Sequence, residues 1–325
     1  MQIQFLYKVI AFENYTKKPI NRLMKKRITL TAFMQEIINQ FQQEERFGTA
    51  HVYRSTLRRI KNFIGDSEMT PDEITPLWLK AFQNHLCSEG LQWNSISTYM
   101  RMLRAVYFRA VDCGLATYRT RLFKSVYTGT RSTVKRAVGT EVLQQLSAPL
   151  PEKLGKLDSS RMLFLLLFML RGIPFVDLVF LRKCDYRDGI ISYRRKKTGT
   201  RLTVKVEPAA QRLIELLKTD DADSEYLFPY INPRLGDSYR QYQNALRTFN
   251  RNLQILSYEL RFDKLSSYTA RHSWATIAHH CKFQLGLISN AMGHSSERVT
   301  ETYLKPYEKD EIDKMKKGVS SYIFT

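Results

Sequence analysis

The sequence predicts a mainly α protein with one small β-sheet, divided into an N-terminal helical domain and a C-terminal mixed α/β domain. Three observations predict this. Apolar residues recur at helical spacing through most of the chain, one strand–turn–strand pattern interrupts them at 189–206, and a basic stretch rich in Ser, Thr and Gly near 113–138 separates two periodic regions. The 325 residues are too many for one ordinary core and suit two.

Taken in order, residues 1–26 read as an appendage, with Met24 as an alternative start ahead of the basic Lys25-Lys26-Arg27. Met1 to Phe12 lacks the long apolar core and small-residue cleavage site of a signal peptide. The helical domain spans about 27–114. Its first helix runs from Thr31 to Glu45, and its second starts near Thr49, an expected N-cap. Tyr53, Leu57, Ile60 and Ile64 form the second helix's apolar stripe; Arg54, Arg58 and Lys61 line another face. The third opens on Thr75-Pro76, an N-cap followed by Pro at N1, buries Trp78, Phe82 and Leu86, and ends at Gly90. The fourth runs from Asn94 to Asp112, with the stripe Ile96, Met100, Leu103 and Tyr107, while Arg101, Arg104 and Arg109 lie elsewhere.

Residues 115–137 read as a basic interdomain linker, with Lys124, Arg131, Lys135 and Arg136 among Ser, Thr and Gly. The second domain, 138–315, starts at Gly139-Thr140-Glu141. The apolar run Met162–Leu170 is too short to span a bilayer and reads as part of a buried helix, Ser160 to Arg171. A hairpin pairs Gly189–Arg195 with Arg201–Val206 through Lys197-Thr198-Gly199-Thr200. Helices follow near 208–218, 237–258, 268–280, 284–292 and 296–304, then a tail at 316–325.

Fifty-one Lys plus Arg against 31 Asp plus Glu give a net charge of +20. That much like charge opposes compaction unless a polyanion neutralises it, and nucleic acid is the common partner. Arg54, Arg58 and Lys61 on one helix, and Arg101 and Arg104 on another, are the candidate phosphate contacts. A solvated charged face is the blander reading of either helix alone. Cys87, Cys113, Cys184 and Cys281 form no C-x-x-C or zinc spacing and read as buried thiols in a reducing cytoplasm. No acidic cluster is set for two metal ions.

Three motifs follow one another in the second domain. They are Lys197-Thr198-Gly199 at the hairpin tip, Tyr268-Thr-Ala-Arg271-His272-Ser-Trp274 on a helix, and Gly293-His294 with Tyr303 nine residues after the His. In order and spacing this resembles the tyrosine recombinase, or phage integrase, family over about residues 30–310. The family pattern is Arg, then a hairpin Lys, then H-x-x-R-H, then G-H, then a nucleophilic Tyr. The resemblance implies a SAM-like helical core-binding domain in front of a mixed α/β tyrosine-recombinase catalytic domain.

Metal-free strand cleavage needs a nucleophile, a cationic clamp on the phosphate and an acid for the leaving oxygen. Tyr303 is the expected nucleophile, a phenol that keeps the bond energy in a phosphotyrosyl link. Arg271 offers a planar fork matching two phosphate oxygens. His294, at a loop after a helix-ending glycine, is placed to hydrogen-bond the phosphate. Lys197, with Lys196 as its competitor, is the expected acid for the 5′ oxygen.

Two positions depart from the family pattern. Pro174 stands where alignment on Gly172 puts the first Arg; Arg171 is the expected substitute, one helical turn away, and Arg182 the second choice. Tyr268 stands for the first His of H-x-x-R, on the face of Arg271 but a poor base with an ordinary pKa of about 10. His272 is another candidate proton acceptor, or a brace for the fold.

The resemblance implies a cytoplasmic recombinase acting on double-stranded DNA at short repeated sites, without metal or cofactor, as a homotetramer, with accessory DNA-bending proteins as further partners. With only a short segment ahead of the helical domain, a DNA invertase or mobile-element enzyme is expected. Tyr322, Ile323 and Phe324 are expected to dock on a neighbouring protomer. Two rival readings stand beside it: a catalytically impaired DNA-binding relic acting as regulator or accessory factor, which Pro174 and Tyr268 favour, and a type IB topoisomerase.

Overall fold

A computed structural model describes residues 28–133, 135–306 and 309–324. Among the described residues the chain is mainly α with a single three-stranded sheet, and it divides between Thr133 and Val134 into two compact units. The appendage read at 1–26 lies outside the described residues.

The first unit holds α1 (Leu30–Gln43), α2 (Phe47–Ile64), α3 (Pro76–Ser88) and α4 (Trp93–Asp112). The Thr75 hydroxyl caps α3 by accepting from the Trp78 amide at 3.1 Å, with Pro76 at N1 as the sequence predicts. Thr49 is not the N-cap of α2. That helix begins at Phe47 behind Arg46, because the Ala50 amide already bonds to the Arg46 carbonyl and draws Thr49 into the first turn. Ile96, Met100, Leu103 and Tyr107 are fully buried, as their spacing requires. In α3 it is Leu79, Phe82 and Leu86 that are fully enclosed, while Trp78 is half-buried against Phe63.

Most of the stretch read as a linker is docked on this unit. Leu122, Phe123 and Val126 are buried in its core, which outweighs the polar composition around them. Ser97 Oγ donates to the Gly129 carbonyl at 2.6 Å, and the Asn94 amide group bonds both backbone groups of Arg131 at 2.8 Å. The four cysteines are also placed differently. Cys87, Cys184 and Cys281 are exposed and Cys113 is intermediate, since they fall near helix ends and in a surface turn rather than on apolar stripes.

The second unit is built on α5 (Thr140–Ser147) and α6 (Asp158–Met169), followed by α7 (Phe175–Val179). In α6 the buried set Leu163–Leu167 is nearly continuous, as a helix enclosed on most sides must be. The strands β1 (Tyr186–Arg187), β2 (Ile190–Arg194) and β3 (Arg201–Lys205) form an antiparallel sheet in sequence order. β2 and β3 pair from Ile190↔Lys205 to Arg194↔Arg201, and the tip closes with the Arg195 amide donating to the Thr200 carbonyl at 2.9 Å. Next come α8 (Pro208–Leu217), α9 (Ser238–Glu259), α10 (Ser267–His280), α11 (Leu285–Ala291), α12 (Glu297–Glu301) and α13 (Lys309–Phe324). Helix α6 lies against α8, α9 and α10, which fixes α10 on the core. The last short helix before Tyr303 ends at Glu301, so Tyr303 sits in the following turn rather than in a helix running to 304. The tail is helical to Phe324; the side chains of Tyr322, Ile323 and Phe324 lie outside what the structure describes. Among the described residues no helix is long and apolar enough to cross a membrane.

Candidate active site

Arg271 projects from α10 into the interior and is only 2% exposed. The helix starts where it does because Ser266 and Thr269 form a capping box. The guanidinium donates from Nη1 to the Gly172 carbonyl at 2.6 Å, and from Nη2 to the Met292 carbonyl at 2.7 Å and to His294 Nε2 at 2.8 Å. Gly172 has φ +65°, and a Cβ there would stand 2.7 Å from the Arg271 Cα. Only glycine permits this approach.

The bond between Arg271 and His294 settles a tautomer. A guanidinium has no acceptor, so Nε2 of His294 must carry the lone pair and Nδ1 the proton. That proton is donated to Thr300 Oγ1 at 2.8 Å. Burial, then the charges of Arg271, Arg195 and Lys197, push the imidazole down to about 3. His294 is therefore neutral near pH 7. His272 is fixed in the same way: its Nδ1 donates to the Tyr303 carbonyl at 2.9 Å, and burial lowers its pKa.

His294 has a consequence for acid stability. Its folded pKa lies below the ordinary value of about 6.5, so the unfolded chain takes up a proton that the folded chain refuses. The stabilisation is complete above that ordinary value and is lost as pH falls towards about 3, with His272 acting in the same direction. His294→Gln should therefore show a smaller drop in melting temperature between neutral and acid pH than wild type. Parallel curves for the two proteins would contradict the assignment.

Tyr303 is half-buried and closes the cluster. It rests with Leu304 on the small apolar group Ala275, Ile288 and Met292. Its ring lies 4.9 Å from that of His294 at 21°, 4.8 Å from His272, and 6.4 Å from Tyr268 at 10°, and the Arg271 Cζ stands 5.4 Å from its centroid. The structure thus brings together Arg271, His294, Tyr303 and Tyr268. Burial, followed by the neighbouring Tyr303 phenol, pushes the Tyr268 phenol up, and Arg271 opposes this.

The other sequence candidates fall as follows. Lys197 is exposed in the hairpin turn, near enough for its charge to depress His294. Lys196 directs its ammonium onto the Phe180 ring, 3.8 Å from the centroid. Arg171, at φ +58°, donates from Nη1 to the Thr203 carbonyl at 3.4 Å, which directs its guanidinium to β3. Arg182 pairs with Glu225 at 3.3 Å.

Sequence reasoning missed Arg195. It is 6% exposed, and its Nη1 donates to the Met292 and Gly293 carbonyls at 3.3 and 2.9 Å. Its Nε lies 3.5 Å from Oδ2 of Asp177, itself 3% exposed, whose Oδ1 accepts from the Lys196 amide at 2.8 Å. Burial raises the Asp177 carboxyl, opposed by that amide and by Arg195. A signal was present: Ile191, Tyr193 and Arg195 alternate onto the inward face of the hairpin.

In the first unit, Arg54, Arg58 and Lys61 on α2 and Arg101 and Arg104 on α4 are all exposed. The two helices are tied by a 3.3 Å bond between Ser55 Oγ and the Tyr99 hydroxyl. Arg109 is turned away, half-buried with its guanidinium over Phe41 at 4.9 Å.

Two family models match the chain: the phage integrase SAM-like domain over residues 29–120, and the phage integrase family over residues 140–310. No curated protein matches closely enough to count as a relative. Among solved structures, similarity extends to a lambda integrase dimer bound to a COC′ core site, at TM-score 0.63 and 16% identity over 86% of this chain and 98% of that one. The Tn1549 transposon integrase in complex with transposon right end DNA gives 0.61 and 13% over 90% and 99%. A lambda integrase tetramer bound to a Holliday junction gives 0.62 and 15% over 92% and 86%. At these identities the likeness is one of fold.

Proposed function

The chain belongs to the phage integrase family, and from that premise we propose that it is a site-specific DNA recombinase that cleaves and rejoins strands through a 3′-phosphotyrosyl link at Tyr303. The observation that carries this reading is the buried Arg271, bonded to His294 at 2.8 Å with the Tyr303 ring against both. A buried permanent cation held by two carbonyls and a neutral imidazole is a place prepared for an anion.

In the proposed reaction the Tyr303 oxygen attacks the scissile phosphorus, and the 5′ oxygen leaves with a proton from Lys197. Arg271 turns its fork from His294 towards the phosphate oxygens. With the phosphate anion offsetting the Arg271, Arg195 and Lys197 charges that depress His294, its freed Nε2 takes the phenolic proton, and the resulting imidazolium then donates to the phosphate. Tyr268 lies beside Tyr303 as a neutral hydrogen-bonding phenol. His272 holds the nucleophile's backbone through the Tyr303 carbonyl. Reversal on a partner strand exchanges the strands.

The exposed Arg54, Arg58, Lys61, Arg101 and Arg104 are proposed to contact phosphates of double-stranded DNA. Ile312, Met315 and Val319 recur on one face of α13 and are 50%, 64% and 62% exposed. An apolar face left uncovered in a single chain favours docking on a second copy, in keeping with a tetramer on paired short sites. Integration, excision or inversion is the proposed outcome, in the cytoplasm, with DNA-bending proteins as accessory partners.

The reading is tested by recovering protein–DNA adducts under denaturing conditions from cells carrying the native locus, and sequencing the attached DNA. Adducts clustered at a repeated short site support it. Scattered adducts point to a topoisomerase, and no adduct with native binding retained points to a binding-only relic. The role of Lys197 has its own test. Lys197→Ala should slow cleavage of ordinary DNA by about 10²–10⁴-fold. A bridging sulfur at the 5′ position should restore the rate, because a thiolate leaves without a proton. A variant equally slow on both substrates would remove Lys197 from this role.

A further inference from the structure

We propose that Arg195 is the second phosphate-binding guanidinium of this site, supplied by the hairpin in place of the family's first arginine, whose position Pro174 occupies. The proposal rests on the recombinase reading above.

Arg195 and Arg271 converge on one carbonyl. Arg271 Nη2 donates to the Met292 oxygen at 2.7 Å and Arg195 Nη1 donates to it at 3.3 Å. Two guanidiniums, 2% and 6% exposed, therefore flank the turn that carries His294. Like charges this deep repel each other, and burial together with Arg195 works against the charge on Arg271. Among the described residues one buried carboxylate, Asp177, stands against the two cations. The Nε of Arg271 is buried without a hydrogen-bond partner, and that of Arg195 reaches Asp177 Oδ2 at 3.5 Å, longer than a good hydrogen bond. A buried surplus of positive charge with unsatisfied donors is costly, and a phosphodiester anion entering beside His294 and Tyr303 would relieve it.

The surroundings hold Arg195 in that position. Asp177, three residues after Pro174, accepts from the Lys196 amide at 2.8 Å and faces Arg195 Nε at 3.5 Å, so one carboxylate anchors the base of the hairpin turn. Gly293, at φ +64°, lets the chain pass close: a Cβ there would meet the Arg195 Cδ at 3.0 Å and Leu202 Cδ1 at 2.9 Å. The turn that presents Lys197 thus starts from a guanidinium already at the site. Arg171, by contrast, is engaged with the Thr203 carbonyl on β3.

The competing role for Arg195 is a brace for the Met292 and Gly293 carbonyls. Removing the charge of the scissile phosphate separates the two, because a neutral methylphosphonate needs a cation much less but needs a sound scaffold equally. The substrate is a nicked duplex carrying the site mapped from wild-type adducts, with either a phosphodiester or a methylphosphonate at the scissile position. The variants are Arg195→Lys, the double variant Arg195→Met with Asp177→Asn, Arg171→Met and Tyr303→Phe. The double variant leaves no unpaired buried carboxylate and so guards against simple misfolding.

Both Arg195 variants should cleave the phosphodiester about 10²–10³-fold more slowly than wild type and recover most of that loss on the methylphosphonate. Tyr303→Phe should recover nothing, and Arg171→Met should lose less than about tenfold on the phosphodiester. Equal loss on both substrates, near-wild-type cleavage, or recovery seen with Arg171→Met in place of the Arg195 variants would overturn the proposal. If the wild type yields no adduct, the recombinase reading fails and orthovanadate binding by ⁵¹V NMR decides the rest. Vanadate binding lost in the Arg195 variants and kept in Arg171→Met sustains the paired anion site; binding that does not depend on Arg195 overturns it.

Discussion

Tyr303→Phe should reduce covalent adducts to background, at least about 10⁴-fold below wild type, while the protein stays folded and keeps its DNA. The expectation follows from what the ring and the hydroxyl each do. The ring is held by apolar contact with the group around Ala275, Ile288 and Met292, and by stacking on His294 at 4.9 Å, and phenylalanine preserves both. The backbone is held by His272, whose bond goes to the Tyr303 carbonyl. Only the phenolic oxygen, the proposed nucleophile, is removed. Melting temperature and native DNA retention should therefore change little, and a large fall in either would mean that the hydroxyl supports the fold.

Arg271→Ala should damage both rate and stability. Deletion leaves the carbonyls of Gly172 and Met292 and the Nε2 of His294 without their donor in a buried setting. Buried acceptors left unmade cost about 1–3 kcal/mol each, and relief of the repulsion from Arg195 offsets part of that, so a net loss of about 2–4 kcal/mol is expected. Cleavage should fall by about 10³-fold or more, as for a missing preorganised donor to the transition state. Arg271→Lys is informative beside it. An ammonium keeps the charge and can still donate to a carbonyl, but it cannot hold two phosphate oxygens as a planar fork does, so it should regain stability more than rate. Urea unfolding and single-turnover cleavage, measured on both variants, give the two quantities separately. If Arg271→Lys cleaves at the wild-type rate, the fork geometry is not what the site uses.

Much of this molecule is legible in its sequence, for identifiable reasons. Stripes such as Ile96, Met100, Leu103 and Tyr107 report α4 because one face of a helix must be buried, and Thr75-Pro76 reports the start of α3 because capping chemistry is local. The order Lys197, Arg271, His294, Tyr303 follows the family pattern, and the family model matches over residues 140–310. What was illegible is spatial. A motif read along the chain seeks a replacement for a missing arginine nearby in sequence, at Arg171 or Arg182. Packing instead brings the buried Arg195 to the site from the hairpin. The polar composition of 115–137 concealed three apolar residues, Leu122, Phe123 and Val126, that are enough to dock most of it. Nor does any sequence pattern specify that His294 is neutral, since that follows from a guanidinium with no lone pair meeting its Nε2.

The most direct test of the central claim is the chemical identity of the linkage. Wild-type protein trapped on nicked DNA, digested with nuclease and protease, should yield one nucleotide-bearing peptide. Its mass and fragmentation should place a 3′-phosphate ester on the phenolic oxygen of Tyr303. A nucleotide carried by Tyr268 or any other residue, or an unmodified Tyr303 peptide alongside cleaved DNA, would contradict the account.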